Sequence, residues 1–328
     1  MISAGITGHQ DQLHKIEIMF QKKKLPGVLL LQGISGLGKK KIALRLAQSI
    51  FCQQDKKPCL SCPHCLAIAE DNFSDFIYLF PGENGKIPIG NFSKNEPGTV
   101  RWFINRLSRK SFSGQYAVII DQVEAISLEG QNALLKTIEE PGGEHHFFLV
   151  SSNRAQIIPT LLSRCLELKF FPLKNQELKN ILSDQLRQDQ DNLDVDLDLL
   201  LIMANGSVEL SLLLAKNKNY QKVLALTEKI SLFFKNESFL DLEIDPLKKE
   251  IGFFNLIRTL INIYQWIIKS SLKNKPRLEE IEKISSIDLD KIKKIIKILL
   301  ALSEKSYHNL NLKYYLKGSL TSIKIGKE

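Results

Sequence analysis

Residues 28–40 read VLLLQGISGLGKK, an apolar run of strand length followed by a glycine-rich turn and a helical segment. The turn matches the pattern G-x-x-x-x-G-K, in the strand–loop–helix context in which that pattern forms a phosphate-binding loop. Glycines let backbone N–H groups face phosphate oxygens, and the helix N-terminus adds a partial positive charge. The sequence therefore predicts a nucleotide site, whose loop residues are Gly33, Gly36, Gly38, Lys39 and Lys40. A glycine-rich turn without a ligand is the alternative interpretation.

Four further apolar runs follow within the first 170 residues, and Gly, Pro, Asn or Asp bounds each of them. Short buried strands joined by helical crossovers are typical of parallel sheets, so we predict an α/β domain. The predicted strands are Val28–Leu31, Phe76–Phe80, Ala117–Ile120, Phe147–Val150 and Leu166–Phe170. The predicted helices between them are Lys39–Phe51 and Leu128–Glu140. Residues 81–98 contain four Gly and three Pro, which predicts a surface loop or a short hairpin.

From residue 172 onwards the chain is rich in Leu, Ile, Lys and Asn and sparse in Gly and Pro. Apolar spacing near 3.6 predicts a helical region there, with a linker at residues 236–246. Of the 45 basic and 36 acidic side chains, residues 246–328 hold 17 and 8, which accounts for the whole net charge of +9. A solvated, lysine-rich helix face explains this excess as well as a surface for nucleic acid or an acidic partner does.

The composition is that of a globular protein, with 44% hydrophobic and 25% charged residues in a chain of 328. This length predicts two or three domains. The apolar runs are too short to span a bilayer, and the first residues lack the basic and apolar regions of a secretory signal. We therefore expect a cytoplasmic protein.

Two positions of the predicted nucleotide site lack groups that hydrolysis needs. The residue after the loop lysine is Ser or Thr in catalytic loops, where its hydroxyl holds magnesium, but Lys40 cannot ligate a cation. Asp121 ends a predicted strand and is placed to present a carboxylate to magnesium, but Gln122 follows it, and an amide is a poor base. Together these changes predict a chain that does not turn over ATP. Lys39 leaves nucleotide binding open.

Four cysteines, Cys52, Cys59, Cys62 and Cys65, fall within fourteen residues. Two-residue spacers let successive thiolates converge on one tetrahedral ion, and four sulfurs close its coordination shell. We therefore predict a structural zinc site, with free or redox-active thiols as the alternative. His64 is a rival ligand, which we expect to point away from the cluster because Pro63 and Cys65 flank it.

Residues 131–141, QNALLKTIEEP, and residues 159–165, PTLLSRC, resemble the central signatures of bacterial clamp-loader subunits. The GHQ of residues 8–10, the phosphate loop and the cysteine module occur in the order that this family has. The resemblance is strong over residues 5–172 and weak beyond. The family belongs to the AAA+ ATPases, and its five-subunit rings open the sliding clamp of DNA polymerase III and place it on primed DNA.

The resemblance implies three domains. The first, residues 1–171, is an AAA+ P-loop domain with a parallel sheet and a zinc module at residues 52–65. A small helical lid domain follows at residues 172–240, and a C-terminal helical collar domain at residues 241–328 joins the subunits of the ring.

The resemblance is closest to the delta-prime branch, whose members are stators with degraded ATP sites. Active members carry Gly-Ser-x-Arg in the lid, whereas residues 206–209 read GSVE here. By this resemblance Arg164 is an arginine finger that acts in trans on a gamma/tau neighbour. The implied partners are gamma/tau and delta subunits, the sliding clamp and primed DNA, with structural zinc and bound ATP or ADP as cofactors. The alternatives are an active gamma/tau-type ATPase, or a zinc-containing AAA+ DNA-binding protein outside the clamp loader.

Overall fold

The computed structural model describes residues 2–3, 5–91, 93–94, 96–139, 144–186, 195–236, 245–273, 281 and 288–304. The chain divides into two compact units, Met1–Leu173 and Lys174–Glu328. The first unit contains a five-stranded sheet, whereas the described part of the second unit is helical.

The sheet of the first unit is parallel throughout, which confirms the predicted fold class. Its strands are β1 (Val28–Gln32), β2 (Phe76–Leu79), β3 (Ala117–Ile120), β4 (His146–Ser151) and β5 (Leu166–Lys169). The strand order is β2-β3-β4-β1-β5, so β2 and β5 form the two edges. The predicted strands were one residue too long at Phe80 and Phe170, because both residues lie just beyond the last paired position.

Helices cover both faces of this sheet. They are α1 (Gln10–Gln21), α2 (Lys39–Phe51), α3 (Pro63–Ala69), α4 (Val100–Leu107), α5 (Leu128–Glu139) and α6 (Pro159–Leu162). Leu29 and Leu31 pack into one core cluster and Leu30 into another, and all three are fully buried. A strand covered on both faces is apolar at every position, which is why β1 reads as an unbroken apolar run.

The sequence patterns missed several helices of the first unit. Helix α4 follows the predicted loop of residues 81–98 directly, and Thr99 caps it by accepting a hydrogen bond from the Trp102 N–H at 3.3 Å. Its buried residues Val100, Phe103 and Leu107 lie on one face. Eight residues give too few turns for a reliable helical period, so the cap was the available signal.

The second unit contains α7 (Asn175–Leu186), α8 (Leu197–Ala204), α9 (Val208–Ala215), α10 (Asn219–Asn236), α11 (Asp245–Ile251), α12 (Phe253–Lys273) and α13 (Leu289–Glu304). Asn205, with a φ of 44°, ends α8. Asn236 and Pro246, the ends of the predicted linker, lie in α10 and α11, and residues 237–244 between them lie outside the described residues. Glu140, the last residue of the predicted helix Leu128–Glu140, also lies outside them. The lid and collar boundaries stay a prediction.

Side chains from α12 close the end of α8. The Asn262 amide donates to the Met203 carbonyl at 2.8 Å, and the Arg258 guanidinium donates to the Ala204 carbonyl at 3.4 Å. The last carbonyls of a helix lack intrahelical partners, so these contacts join two segments that the predicted domains separate. Among the described helices none is by itself long and apolar enough to cross a membrane, although α11 and α12, bent by 102°, reach that composition as a pair.

A buried histidine makes the stability of the first unit depend on pH. His145 is 7% exposed, and its Nδ1 accepts a hydrogen bond from the Tyr116 N–H at 3.1 Å. Burial and the neighbouring His146 lower the pKa of His145. Because the unfolded chain then binds protons more readily, stability falls as the pH decreases below about 6.5.

We expect the Tm to fall between pH 7 and pH 5.5, by about 2–4 °C for each kcal/mol of unfolding free energy that is lost. His145→Asn keeps an acceptor for the Tyr116 N–H but does not titrate, so its Tm should fall less over the same range. Calorimetry of both proteins measures this difference. Equal slopes would show that His145 does not carry the effect.

Candidate functional site

The phosphate loop lies where β1 ends and α2 begins. A Cβ atom at Gly33 would lie 2.4 Å from the Phe170 carbonyl oxygen, so this position accepts only glycine. Gly36 and Gly38 have φ values of 79° and 82°, which L side chains rarely adopt. The backbone therefore requires the glycines that the sequence pattern singled out.

Lys39 is 5% exposed and lies inside the loop. Its ammonium donates to the carbonyl oxygens of Gly33 and Ile34, each at 2.6 Å. The loop carbonyls thus occupy the Lys39 ammonium. A bound phosphate group would accept hydrogen bonds from this ammonium in place of the two carbonyls.

Lys40, Tyr78 and Asp121 form a cluster beside the loop, at the carboxyl ends of β2 and β3. The Lys40 Nζ lies 4.6 Å from the centre of the Tyr78 ring, and the Tyr78 hydroxyl donates to Asp121 Oδ2 at 3.1 Å. Burial raises the pKa of Asp121, while the Tyr78 hydrogen bond and the charge of Lys40 oppose this rise. The ammonium therefore stabilises the carboxylate that the sequence predicted as a magnesium ligand.

A magnesium ion does not fit these residues. Mg²⁺ requires near-octahedral oxygen coordination. Lys40 has no lone pair to offer at the position of the usual hydroxyl, and one oxygen of Asp121 already accepts from Tyr78. The donor set and the fixed positive charge both disfavour a divalent cation here.

Glu124 is the carboxylate that the sequence reasoning missed near Gln122. Its Oε1 accepts hydrogen bonds from the Ser152 N–H at 2.8 Å and from the Ser152 hydroxyl at 2.7 Å. These bonds connect the Glu124 carboxylate to the residue that follows β4. The acid two residues after Gln122 is therefore already engaged with Ser152.

The four cysteines converge as predicted. Their sulfur atoms all lie within 4.8 Å of one another, and those of Cys59 and Cys65 are 4.0 Å apart. A zinc–sulfur tetrahedron with bonds of about 2.3 Å has edges of about 3.8 Å, so the cluster matches a zinc ion in size. The His64 Nδ1 lies 2.9 Å from the Phe51 carbonyl oxygen and thus away from the cluster. Cys52, Cys59, Cys62 and Cys65 form a candidate metal centre.

The thiols of this centre differ in acidity. Hydrogen bonds from backbone groups of Ser61 and Cys62 lower the pKa of Cys59 to about 6, whereas burial raises that of Cys65 to about 12. Without a cation the buried Cys65 thiol therefore keeps its proton at neutral pH. A divalent ion supplies the charge that lets all four bind as thiolates.

Helix α2 connects the candidate metal centre to the phosphate loop. The Gln48 amide of α2, 2% exposed, donates to the Cys65 carbonyl at 2.7 Å. Cys52 follows α2 directly, and its N–H donates to the Gln48 carbonyl at 2.9 Å. A metal held by Cys52 therefore fixes the end of the helix whose other end forms the phosphate loop.

Arg164 lies in the turn between α6 and β5. It makes an ion pair with Glu139, the last residue of α5, and donates to the Thr160 carbonyl at 2.6 Å. The two side chains of the pair are 36% and 42% exposed. Glu139 holds the guanidinium at the surface, a role that the sequence reasoning did not assign.

Strand direction separates Arg164 from the phosphate loop of the same chain. Strands β1 and β5 are parallel neighbours, with Leu29 opposite Leu166 and Gln32 opposite Lys169. The loop leaves the carboxyl end of β1, whereas Arg164 precedes the amino end of β5. The two sites thus lie at opposite ends of these paired strands, about 13 Å or more apart, which is the length of a four-residue strand.

Comparisons with known proteins agree with this architecture. A model of the family described as "DNA polymerase III, delta subunit" matches residues 8–174, just over half of the chain. The chain is 28% identical over 244 residues to DNA polymerase III subunit gamma of Buchnera aphidicola (subsp. Schizaphis graminum), covering 72% of this chain and 64% of that protein. It is 25% identical over 271 residues to subunit delta' of Bacillus subtilis, covering 79% and 76%.

The subunit delta' of Escherichia coli is 29% identical over 214 residues, which is 65% of this chain and 61% of that protein. The match spans 30% to 64% of the lengths of the first gamma and tau/gamma relatives. Gamma and delta' proteins thus occur together among the relatives. Because the family model covers more than half of the sequence, the chain belongs to the DNA polymerase III delta-subunit family of clamp-loader subunits.

Proposed function

We propose that this chain is a delta-prime-type stator of the clamp loader, which does not hydrolyse ATP and supplies Arg164 to the ATP site of a neighbouring gamma/tau-type subunit. The observation that carries the proposal is the separation of Arg164 from the chain's own phosphate loop by the length of a strand. An exposed guanidinium at the opposite end of the strands is available to another subunit and not to its own phosphate loop.

The chemistry of this role follows from the guanidinium. Arg164 is permanently charged and presents several donors in one plane, so it stabilises negative charge that develops on a transferred phosphoryl group. Glu139 orients it before assembly. In the assembled ring the phosphate oxygens of the neighbour's nucleotide would replace the Glu139 carboxylate as its acceptor.

The proposed partners are gamma/tau and delta subunits in a hetero-oligomer, with the sliding clamp and primed DNA as the targets of the whole complex. This part rests on family membership and on the names of the relatives, which include gamma, tau/gamma and delta' subunits. The cysteine centre would hold a structural zinc ion, because four protein ligands leave no open position for catalysis.

The turnover of ATP by the purified chain tests the stator role. With Mg²⁺ and without partners, we expect no phosphate release above a protein-free control, because Lys40 and Gln122 replace the metal-binding hydroxyl and the base. Any residual rate is compared with that of Lys39→Ala, which separates turnover at this loop from a contaminating ATPase.

Two results would contradict the proposal. Turnover that Lys39→Ala abolishes would identify an active gamma/tau-type subunit. Tight DNA binding by the chain alone, together with failure to assemble with gamma/tau and delta subunits, would indicate a DNA-binding protein outside the clamp loader.

A further inference from the structure

Three consecutive lysines form the first turn of α2, in which there is no acidic residue. They contact different groups. The Lys39 ammonium donates to loop carbonyls, that of Lys40 lies over the Tyr78 ring, and that of Lys41 donates to the Gly5 carbonyl at 2.8 Å. Cations at this end of a helix oppose its dipole. The turn therefore concentrates positive charge beside a phosphate loop whose residues do not fit the usual Mg²⁺.

The position of Lys40 accounts for this mismatch. In the sequence it replaces the residue whose hydroxyl holds the metal in catalytic loops. In the structure Tyr78 links it to Asp121, because the ammonium lies over the ring whose hydroxyl donates to that carboxylate. The Lys40 ammonium thus lies where, in a catalytic loop, a hydroxyl at position 40 and the Asp121 carboxylate would bind the metal.

We propose that this phosphate loop binds a nucleoside di- or triphosphate free of divalent cation, with the Lys40 ammonium in the place of Mg²⁺. The Lys39 ammonium would contact the oxygens of one phosphate group, and the Lys40 ammonium those of the adjacent phosphate group. The Lys40 side chain is exposed to solvent, so it is free to turn towards a bound phosphate.

The proposal predicts an inverted response to Mg²⁺. In solution Mg²⁺ chelates the terminal phosphates of ADP and ATP, and the chelated nucleotide would bring a second cation against Lys40. Free Mg²⁺ should therefore compete with the protein for the nucleotide, whereas in ordinary phosphate loops it strengthens binding. The proposal rests on the phosphate loop and is independent of the role of Arg164.

Titration calorimetry of the full chain with ADP, in EDTA and in excess Mg²⁺, tests this response. We expect ADP to bind at least about fivefold more tightly in EDTA, a difference of about 1 kcal/mol. Lys40→Thr restores the usual hydroxyl, so its response should reverse, with tighter binding in Mg²⁺. Lys41→Thr removes a neighbouring charge without offering a ligand at the metal position, so it should weaken binding equally in both buffers.

Tighter ADP binding in EDTA than in Mg²⁺, together with tighter binding in Mg²⁺ for Lys40→Thr, supports the proposal. Binding by the unaltered chain that requires Mg²⁺, no ADP binding in either buffer, or a Lys40→Thr response like that of the unaltered chain overturns it. Thermal unfolding in the same buffers gives a second readout, because a ligand that binds only the folded chain raises the Tm. Assembly with gamma/tau subunits is measured separately, so that failure of the stator role can be distinguished from failure of Mg²⁺-free nucleotide binding.

Discussion

Arg164→Ala should abolish most ATP turnover at the site of a gamma/tau-type neighbour while the two subunits still associate. Arginine fingers supplied in trans are worth about 10³–10⁵ in kcat, so we expect a loss of at least about 100-fold. The assay is steady-state phosphate release by a binary complex of this chain and one gamma/tau subunit, where no other ring site masks the loss. Gel filtration of the same mixture measures association.

Arg154→Ala is the matched control for this experiment. Arg154 belongs to the same domain, is 47% exposed on its side chain, and is ion-paired to Glu167 at 2.9 Å. Its removal deletes another exposed, ion-paired arginine but not the one that we propose as the finger. Equal losses in the two variants, or an unchanged rate in Arg164→Ala, would refute the role of Arg164.

Glu139→Ala distinguishes a positioning role from a catalytic one in the same assay. Without the Glu139 carboxylate, Arg164 keeps its charge and its bond to the Thr160 carbonyl. We therefore expect an intermediate rate, with a smaller loss than Arg164→Ala causes. The double variant should be no slower than Arg164→Ala alone, because Glu139 acts through Arg164. A further loss in the double variant would give Glu139 a separate function.

Cys59→Ser should remove the metal and destabilise the first unit. Structural zinc sites contribute apparent binding free energies of about 10–16 kcal/mol in small peptides, and much of this is folding free energy. We expect about one zinc ion per purified chain and nearly none in Cys59→Ser, with a lower Tm. Chelation of the unaltered protein should lower its Tm in the same direction. Elemental analysis and thermal unfolding are the measurements.

Cys165→Ser is the matched control for the metal centre. Cys165 lies outside the cluster, where its thiol donates to the Leu161 carbonyl at 3.1 Å and burial raises its pKa to about 12. Its replacement should leave the zinc content unchanged. Metal-free protein from cells, or full zinc content in Cys59→Ser, would contradict the assignment of a structural zinc site.

The cysteine centre could be predicted because its geometry is local. Cys59, Cys62 and Cys65 follow one another at two-residue spacers, and the structure brings their sulfurs and that of Cys52 within 4.8 Å. The phosphate loop is local in the same sense, since the glycines at φ values near 80° are required by the turn itself. Short-range spacing leaves the chain few other conformations at such sites.

The cluster around Lys40 shows where local patterns end. Tyr78 and Asp121 are 43 residues apart, and nothing in the sequence around Tyr78 marks it as a partner of that carboxylate. Glu124 and Ser152, or Arg164 and Glu139, are likewise joined by the sheet and its helices. Such pairs depend on which strands become neighbours in the sheet. The apolar sequence of a strand does not indicate which other strand will pair with it.

The sequence by itself determined the strands, the phosphate loop, the four cysteines and the loss of the usual hydrolytic groups at Lys40 and Gln122. These features depend on residue type and short spacing. Only the tertiary structure decided that Tyr78 lies between Lys40 and Asp121, and that Arg164 lies at the opposite end of the strands from its own phosphate loop. The reason is that the parallel pairing of β1 with β5 and of β2 with β3 decides which strand ends lie side by side. That pairing is stabilised by the burial of apolar residues from the whole domain, which no short stretch of sequence contains.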